Sequence, residues 1–223
     1  YNGKAVSYNG WYLVDGKGTY ITAKDAKVAF SGEPMATDGR YIYFANSTEL
    51  SILTLDTEKL SKGAQTIAVV DPVKDFQWQK NQMSDCYVMQ FGSDLVYCNG
   101  KLYSVVEYGE AEPPEYVIDK DSGEIVSDDL AIYSSRLALI SVDVSTGKVT
   151  NLGILPSELL QTEDFTMAAY NGALLFLGGY SHELHNLTTA VRVYTPGKGW
   201  SEGTALPQPR AGGKALHVGS RLV

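Results

Sequence analysis

Two of the chain's three histidines stand three residues apart, in the segment Tyr180-Ser181-His182-Glu183-Leu184-His185-Asn186. Imidazoles ligate metals and move protons near neutral pH, and a carboxylate between them could orient either ring. The metalloprotease pattern, however, needs H-E-x-x-H on one face of a helix. Here the order is H-E-L-H, in a polar loop, with no third ligand evident. His182 and His185 therefore read as solvated loop residues or as hydrogen-bonding groups for a sugar or a carboxylate, and no metal is expected. A second candidate is Asp119-x-Asp121-x-Gly123, inside the stretch 108–136. That stretch carries eight acids against Lys120 and Arg136. Calcium prefers several carboxylates on a tight turn. But residues 118–125 and 142–149 share one order: apolar, Asp, two residues, Ser or Thr, Gly, charge, apolar. That order suits a hairpin turn in which the Asp side chain caps its own backbone.

Aromatic side chains supply the other candidates. Trp78 lies among polar residues in KDFQWQKNQ, whereas Trp11 and Trp200 sit in apolar strands. A loop Trp can stack on a sugar ring or anchor a partner, or it can simply cover the loop's base. Tyr108, Tyr116 and Tyr180 stand in long connections and are candidates for the same reason. Cys86 and Cys98 read as small core residues; pairing across neighbouring strands, in an oxidising compartment, is the alternative. Asn46-Ser47-Thr48 and Asn186-Leu187-Thr188 are glycosylation sequons, of use only in a eukaryotic secretory protein. No Ser–His–Asp elbow, phosphate loop, paired-carboxylate motif or cofactor signature is visible.

These residues need a scaffold, and composition bounds it. The chain has 223 residues, of which 44% are hydrophobic and 20% charged, enough to pack a core. The 15 Tyr and 22 Gly suit strands and tight turns. A net charge of -8 repels phosphate backbones, so nucleic acid is a poor partner. No apolar run approaches the ~20 residues of a membrane helix. The acidic, Tyr- and Asn-rich surface with few Lys suits an extracellular or cell-surface protein, with a cytoplasmic one left open.

One pattern recurs along the chain: apolar strand, a turn of Asn-Gly type, apolar strand. It occurs at 4–14, 33–45, 94–106, 165–179 and 214–223. Asn-Gly and Asp-Gly favour the type I′ turn, whose two central residues need positive φ. A second hairpin follows each of the first four, at 19–30, 50–63, 138–152 and 190–203. Two hairpins make four antiparallel strands, a to d, and such units repeated are the mark of a β-propeller. The expected fold is all-β, with blades at about 4–32, 33–70, 85–155 and 165–205 and a partial blade at 213–223, in one domain. Only PSELLQTED, at 156–164, looks helical, and it would be a single short turn.

The fourth unit resembles a kelch repeat. Gly178-Gly179 close strand b, Tyr194 lies in strand c, Trp200 follows in strand d, and LPQPR at 206–210 resembles the crossover to the next blade. The resemblance is specific for 165–223; the earlier units match by periodicity only. It implies that the glycines let backbones approach, that Tyr194 and Trp200 fill the wedge between sheets, and that Arg210 lines the ring near the loop face. A closed kelch ring usually has six or seven blades, so further blades are expected after the apolar Arg221-Leu222-Val223.

In such a blade the b-to-c and d-to-a connections share one face. The long connections, 71–92, 108–136, 156–164, 179–189 and 204–213, are all of these two kinds, and long loops on a rigid scaffold are where binding sits. The insert at 108–136 then reads as an extra hairpin, either solvated or a protein-contact arm. The expected function is a non-catalytic module recognising protein or glycan, with Trp78, Tyr108, Tyr116, Tyr180, His182, His185 and Arg210 as candidate contacts. The alternative is a carbohydrate-active kelch enzyme of the oxidase or sugar-epimerase type with catalytic groups partly beyond residue 223. The Tyr–Cys copper site of a galactose oxidase cannot be assembled from these cysteines and histidines.

Overall fold

The computed structural model describes residues 7–9, 12–14, 20–22, 34–59, 62–76, 86–111, 116–118, 125–127, 132–215, 217–218 and 221–222. Three short strands, β1 (Ser7–Asn9), β2 (Tyr12–Val14) and β3 (Tyr20–Thr22), form a first meander. A four-stranded meander follows: β4 (Met35–Thr37), β5 (Tyr41–Asn46), β6 (Ser51–Asp56) and β7 (Gln65–Val69). After helix α1 (Pro72–Phe76) comes β8 (Cys86–Cys98), then β9 (Lys101–Ala111). A side hairpin of β10 (Tyr116–Ile118) and β11 (Ile125–Ser127) precedes β12 (Ile132–Asp143) and β13 (Val149–Ile154). The third sheet has the order β8-β9-β12-β13. Helix α2 (Ser157–Leu160) and β14 (Thr162–Glu163) lead into β15 (Thr166–Tyr170) and β16 (Ala173–Leu177). Then come β17 (Tyr180–Ser181), β18 (Asn186–Leu187), β19 (Val191–Thr195) and β20 (Gly199–Glu202). The fourth sheet runs β15-β16-β19-β20, and a last hairpin joins β21 (His217–Val218) to β22 (Arg221–Leu222).

Every described pair in the large sheets is antiparallel and joins strands in meander order. The sheets stack face to face, as blades of a β-propeller do, and the register of the third sheet shows how. Along β9, Leu102, Val106 and Tyr108 point to one side and pack with Tyr43, Ile52 and Val70 of the second sheet and its end. Tyr103 and Val105 point to the other side and pack with Met167, Leu174 and Phe176 of the fourth. The period of two in a strand thus feeds two cores from one sheet. A sheet covered on both faces needs apolar residues at nearly every position, which is why residues 102–106 read Leu-Tyr-Ser-Val-Val. The only polar member, Ser104, is buried and donates to the carbonyl of Asp94 at 2.9 Å. Each fully buried Leu or Ile of these cores, such as Ile52, Leu102 and Leu174, contributes about 1.5–3 kcal/mol.

The wedge between the third and fourth sheets is filled as expected. Tyr194 and Trp200 face each other across β19 and β20, with ring centroids 5.2 Å apart and planes at 61°. Trp200 also meets Phe176 at 4.9 Å. Two of the Asn-Gly turns have the expected backbone: Asn99 and Gly100 at φ 50 and 77, Asn171 and Gly172 at φ 49 and 78. The Asp38-Gly39 turn differs. Only Gly39 has positive φ, and Asp38 instead accepts the backbone N–H of Arg40 and Tyr41 at 2.9 and 2.7 Å. Those bonds outweigh partial burial and hold its carboxyl below the usual range.

Two expectations need correction. Strand β8 begins at Cys86, not near residue 94, because Gly92-Ser93-Asp94 enters the strand as a β-bulge between Phe91 and Leu95. Cys86 and Cys98 therefore end the same strand, twelve residues apart, or roughly 35–40 Å at about 3.3 Å per residue. They cannot bond to each other, and Cys98 is a free, buried thiol. Second, residues 72–76 are helical. Asp71 accepts the N–H of Lys74 at 3.1 Å, Pro72 takes the first helical position, and Asp75 returns to the N–H of Asp71 at 2.8 Å. Within 156–164, Ser157–Leu160 form the single short helical turn expected there. Among the described residues no helix is long and apolar enough to cross a membrane.

The turn at 143–147 forms as its sequence predicts. Asp143 Oδ1 accepts the hydroxyls of Ser145 and Thr146 at 2.6 and 3.0 Å and both their N–H groups at 3.0 Å. Gly147, at φ 69, lets the turn abut the backbone carbonyl of Ile67 in the second sheet. The Ser145 hydroxyl above all, with Thr146, lowers the Asp143 pKa to about 2. A lowered folded-state pKa gives stability that is present above the ordinary Asp value near 3.8 and lost as pH falls towards 2. Asp143→Ala should lower Tm at pH 7, and the gap from the unaltered chain should close between about pH 4 and pH 2. Thermal melts across that range test it; a gap independent of pH would refute the capping role.

Candidate binding cleft on the loop face

The three connections 156–164, 179–189 and 204–213 come together. Strands β14, β17 and β18 form a small sheet of their own, pairing Glu163 with Tyr180 and Tyr180 with Leu187. The His182 N–H donates to Gln161 O at 2.9 Å. The third connection is tied on through Gly179 N–H to Arg210 O at 2.7 Å and Gly212 N–H to Asp164 O at 2.9 Å. Gly178 and Gly179 have φ of 62 and 107, a region side chains rarely enter. A Cβ on Gly178 would strike the Arg210 carbonyl, and one on Gly179 would lie 2.6 Å from the Glu163 carbonyl. The glycine pair is thus what allows three loops to share one knot.

Beside this knot a cleft of about 550 Å³ opens between the third and fourth sheets. Its volume lies within the range of about 300–1,000 Å³ usual for small-molecule sites. One wall is the third sheet beyond its core. Gln90, Glu107 and Leu137 are direct cross-strand neighbours on β8, β9 and β12, on the side that faces the fourth sheet. Gln90 Nε2 donates to Glu107 Oε2 at 2.8 Å. Arg136 borders the cleft too, but its row includes Met89 and Tyr108, so it comes from the sheet's other side. The opposite wall is the knot, with Gln161, Glu163, Asp164 and His182. His182 Nε2 lies 2.9 Å from Glu163 Oε1. Its ring meets Tyr180 edge-on, centroids 5.5 Å apart. The floor is apolar: Val105, Leu160, Phe165 and Met167.

Asp94 stands at the cleft's inner edge, with a side chain only 10% exposed. Its Oδ2 accepts the N–H of Met167 at 2.8 Å, and its Oδ1 pairs with Lys214 Nζ. A residue of the bulge in β8 therefore joins the third sheet to the fourth and to the segment leading to β21. Ser47 makes a comparable link between the second and third sheets, accepting the N–H of Phe91 at 3.2 Å.

Among the expected contact residues, His182 lines the cleft and Tyr180 packs beside it. Arg210 supports the knot through its carbonyl, and its guanidinium reaches Gln208 Oε1 at 3.2 Å. His185 is exposed, at φ 50, in the turn between β17 and β18. Tyr108 is away from the cleft, packed against Phe76 of α1 with centroids 4.9 Å apart. Tyr116 opens β10, opposite Ser127, so the insert does contain a hairpin. Trp78, Asp119 and Asp121 lie outside the described residues. Sequence reasoning missed Gln90, Asp94, Glu107, Glu163 and Asp164. Asp94 carried a signal, an acid placed directly before the apolar run Leu-Val-Tyr-Cys. The others are polar residues within or just after strands, and only register shows which side they take. Among the described residues no three His, Cys, Asp or Glu side chains meet as metal ligands would.

No protein-family model matches the sequence, and no curated protein matches it. Among solved structures, that of YjhT is 13% identical with a TM-score of 0.49, over 97% of this chain and 70% of that one. A structure of oligogalacturonate lyase in complex with manganese is 12% identical with a TM-score of 0.47. That match covers 87% of this chain and 46% of the lyase chain, so this chain spans less than half of it. At these values neither likeness carries an argument, and the fold and the cleft rest on this chain's own geometry.

Gly179→Ala should cost about 1–3 kcal/mol, because the backbone must be strained or the knot must open. Denaturant melts measure the loss; a variant as stable as the parent would show that the knot is not held there. Asp94→Ala strands the buried Met167 N–H and should cost about 1–3 kcal/mol. Asp94→Asn keeps an acceptor and should lose less; equal losses would deny the backbone bond its role.

Proposed function

We propose that this chain belongs to a kelch-type β-propeller that acts as a non-catalytic binding module, with a protein or glycan held in the loop-face cleft. The glycine pair at the end of β16 and the Tyr194–Trp200 contact support the kelch reading. The single observation that carries the binding reading is the convergence of three long connections beside a cleft of about 550 Å³ with polar walls and an apolar floor. Such a mixture is what a recognition site needs: apolar area for affinity and a few placed polar groups for orientation. A surface or extracellular setting fits a module of this kind.

One observation favours the second reading, a carbohydrate-active enzyme. His182 is held at 2.9 Å from Glu163, an arrangement that could pass a proton. The pair is largely exposed, at 48% and 68%, and acid–base groups of enzymes are more often enclosed.

Incubating a glycan panel with the immobilised chain and analysing it by mass spectrometry separates the readings. Retained glycans should be recovered chemically unchanged, and His182→Ala should cut retention several-fold. Conversion of any glycan, abolished by the same substitution, would establish the enzyme instead.

A further inference from the structure

We infer that the cleft takes a neutral saccharide. This rests on the reading of the cleft as the binding site and adds the class of its ligand. Two hydrogen-bonded polar pairs face each other across it. Gln90 and Glu107 meet at 2.8 Å on the third sheet, and Glu163 and His182 at 2.9 Å on the knot. Between them the surface is apolar, with Leu137, Phe165 and Met167.

A pyranose ring has the matching distribution of chemistry. Its C–H face is apolar and its rim is a ring of hydroxyls, each able to donate and accept. Carboxylates accept strongly from hydroxyls, the second N–H of the Gln90 amide can donate, and the free ring nitrogen of His182 can accept. A cation would use the carboxylates but leave the amide donor facing like polarity. An anion fares worse. Glu107, Glu163 and Asp164 line the cleft against one guanidinium, that of Arg136, which borders it from the other side of its sheet, and the chain carries a net charge of -8. A uronate or phosphate would meet repulsion both on approach and in place. The ring of Phe165, with Leu137 and Met167 beside it, contributes through contact area, as aromatic side chains do against flat ligands.

The test uses the whole chain, isotope-labelled, with backbone amide spectra recorded during titration. The probes are cellotriose, maltotriose, mannotriose and xylotriose, with trigalacturonate and trilysine as charged counterparts. At least one neutral trisaccharide should shift the amides of Glu107, Leu137 and Glu163. Glu107→Ala and Glu163→Ala should each weaken that binding about tenfold or more without changing the melting temperature, and Glu107→Gln should recover some of it. Shifts of these amides by trigalacturonate or trilysine alone would overturn the neutral class while keeping the cleft as the site. Shifts confined to other surfaces would overturn the cleft itself. No shift with any probe would overturn the saccharide inference and leave a protein as the module's ligand.

Discussion

The third sheet is covered on both faces, and much of the rest follows from that. Leu102 and Val106 serve one core while Tyr103 and Val105 serve the next, so along its middle this sheet can carry only polar groups that find a partner, as Ser104 does. Unpaired polar side chains there would forfeit their hydration without return. Variation is therefore pushed to the ends of the strands, where backbone meets water. The extension of β8, β9 and β12 past the core, with Gln90 and Glu107 on it, is such an end. The cleft lies at the first place where the stacked sheets stop touching and polar side chains can stay hydrated.

What holds that place open is a set of backbone contacts that no larger residue could make. Gly178 and Gly179 bring β17 close to the connection at 210–212 and to β14. Once three loops are tied in this way, His182, Glu163 and Asp164 are held by a scaffold rather than by a free loop, with less ordering entropy left to lose on binding. Asp94 acts in a related way on the inner side. Its side chain faces the fourth sheet, as those of Val96 and Cys98 do, so it can accept from that sheet and pair with Lys214. The same bulge that breaks the apolar pattern thus joins sheets that otherwise share only apolar surface.

Much of this was legible in the residues. The turns at Asn99-Gly100 and Asn171-Gly172 demanded positive φ and have it. Tyr194 and Trp200 were placed between sheets, and Asp143 was placed on its own turn, because each effect is local and has one low-energy geometry. The failures also have causes. The connection expected over 71–92 runs into β8 because Gly92-Ser93-Asp94, a bulge, has the composition of a loop. Asp71-Pro72 starts a helix of only five residues, too short for a helical period to show in the sequence. Tyr108 looked available for a ligand because its position near an insert was visible and its packing on Phe76 was not.

The sequence by itself determined the unit: strand, tight turn, strand, repeated until four strands make a sheet with apolar residues on both sides. Local φ requirements and a period of two are enough for that, since both act over a few residues. Only the tertiary structure decided the site. Gln90 and Glu163 are 73 positions apart, and His182 is a further 19 along. They come to one cleft because sheet stacking, strand register and the glycine contacts each add a long-range constraint. A register shift of one residue would turn Gln90 and Glu107 towards the second sheet and empty that wall. Such long-range choices depend on surfaces meeting in space, and no stretch of a dozen residues contains them.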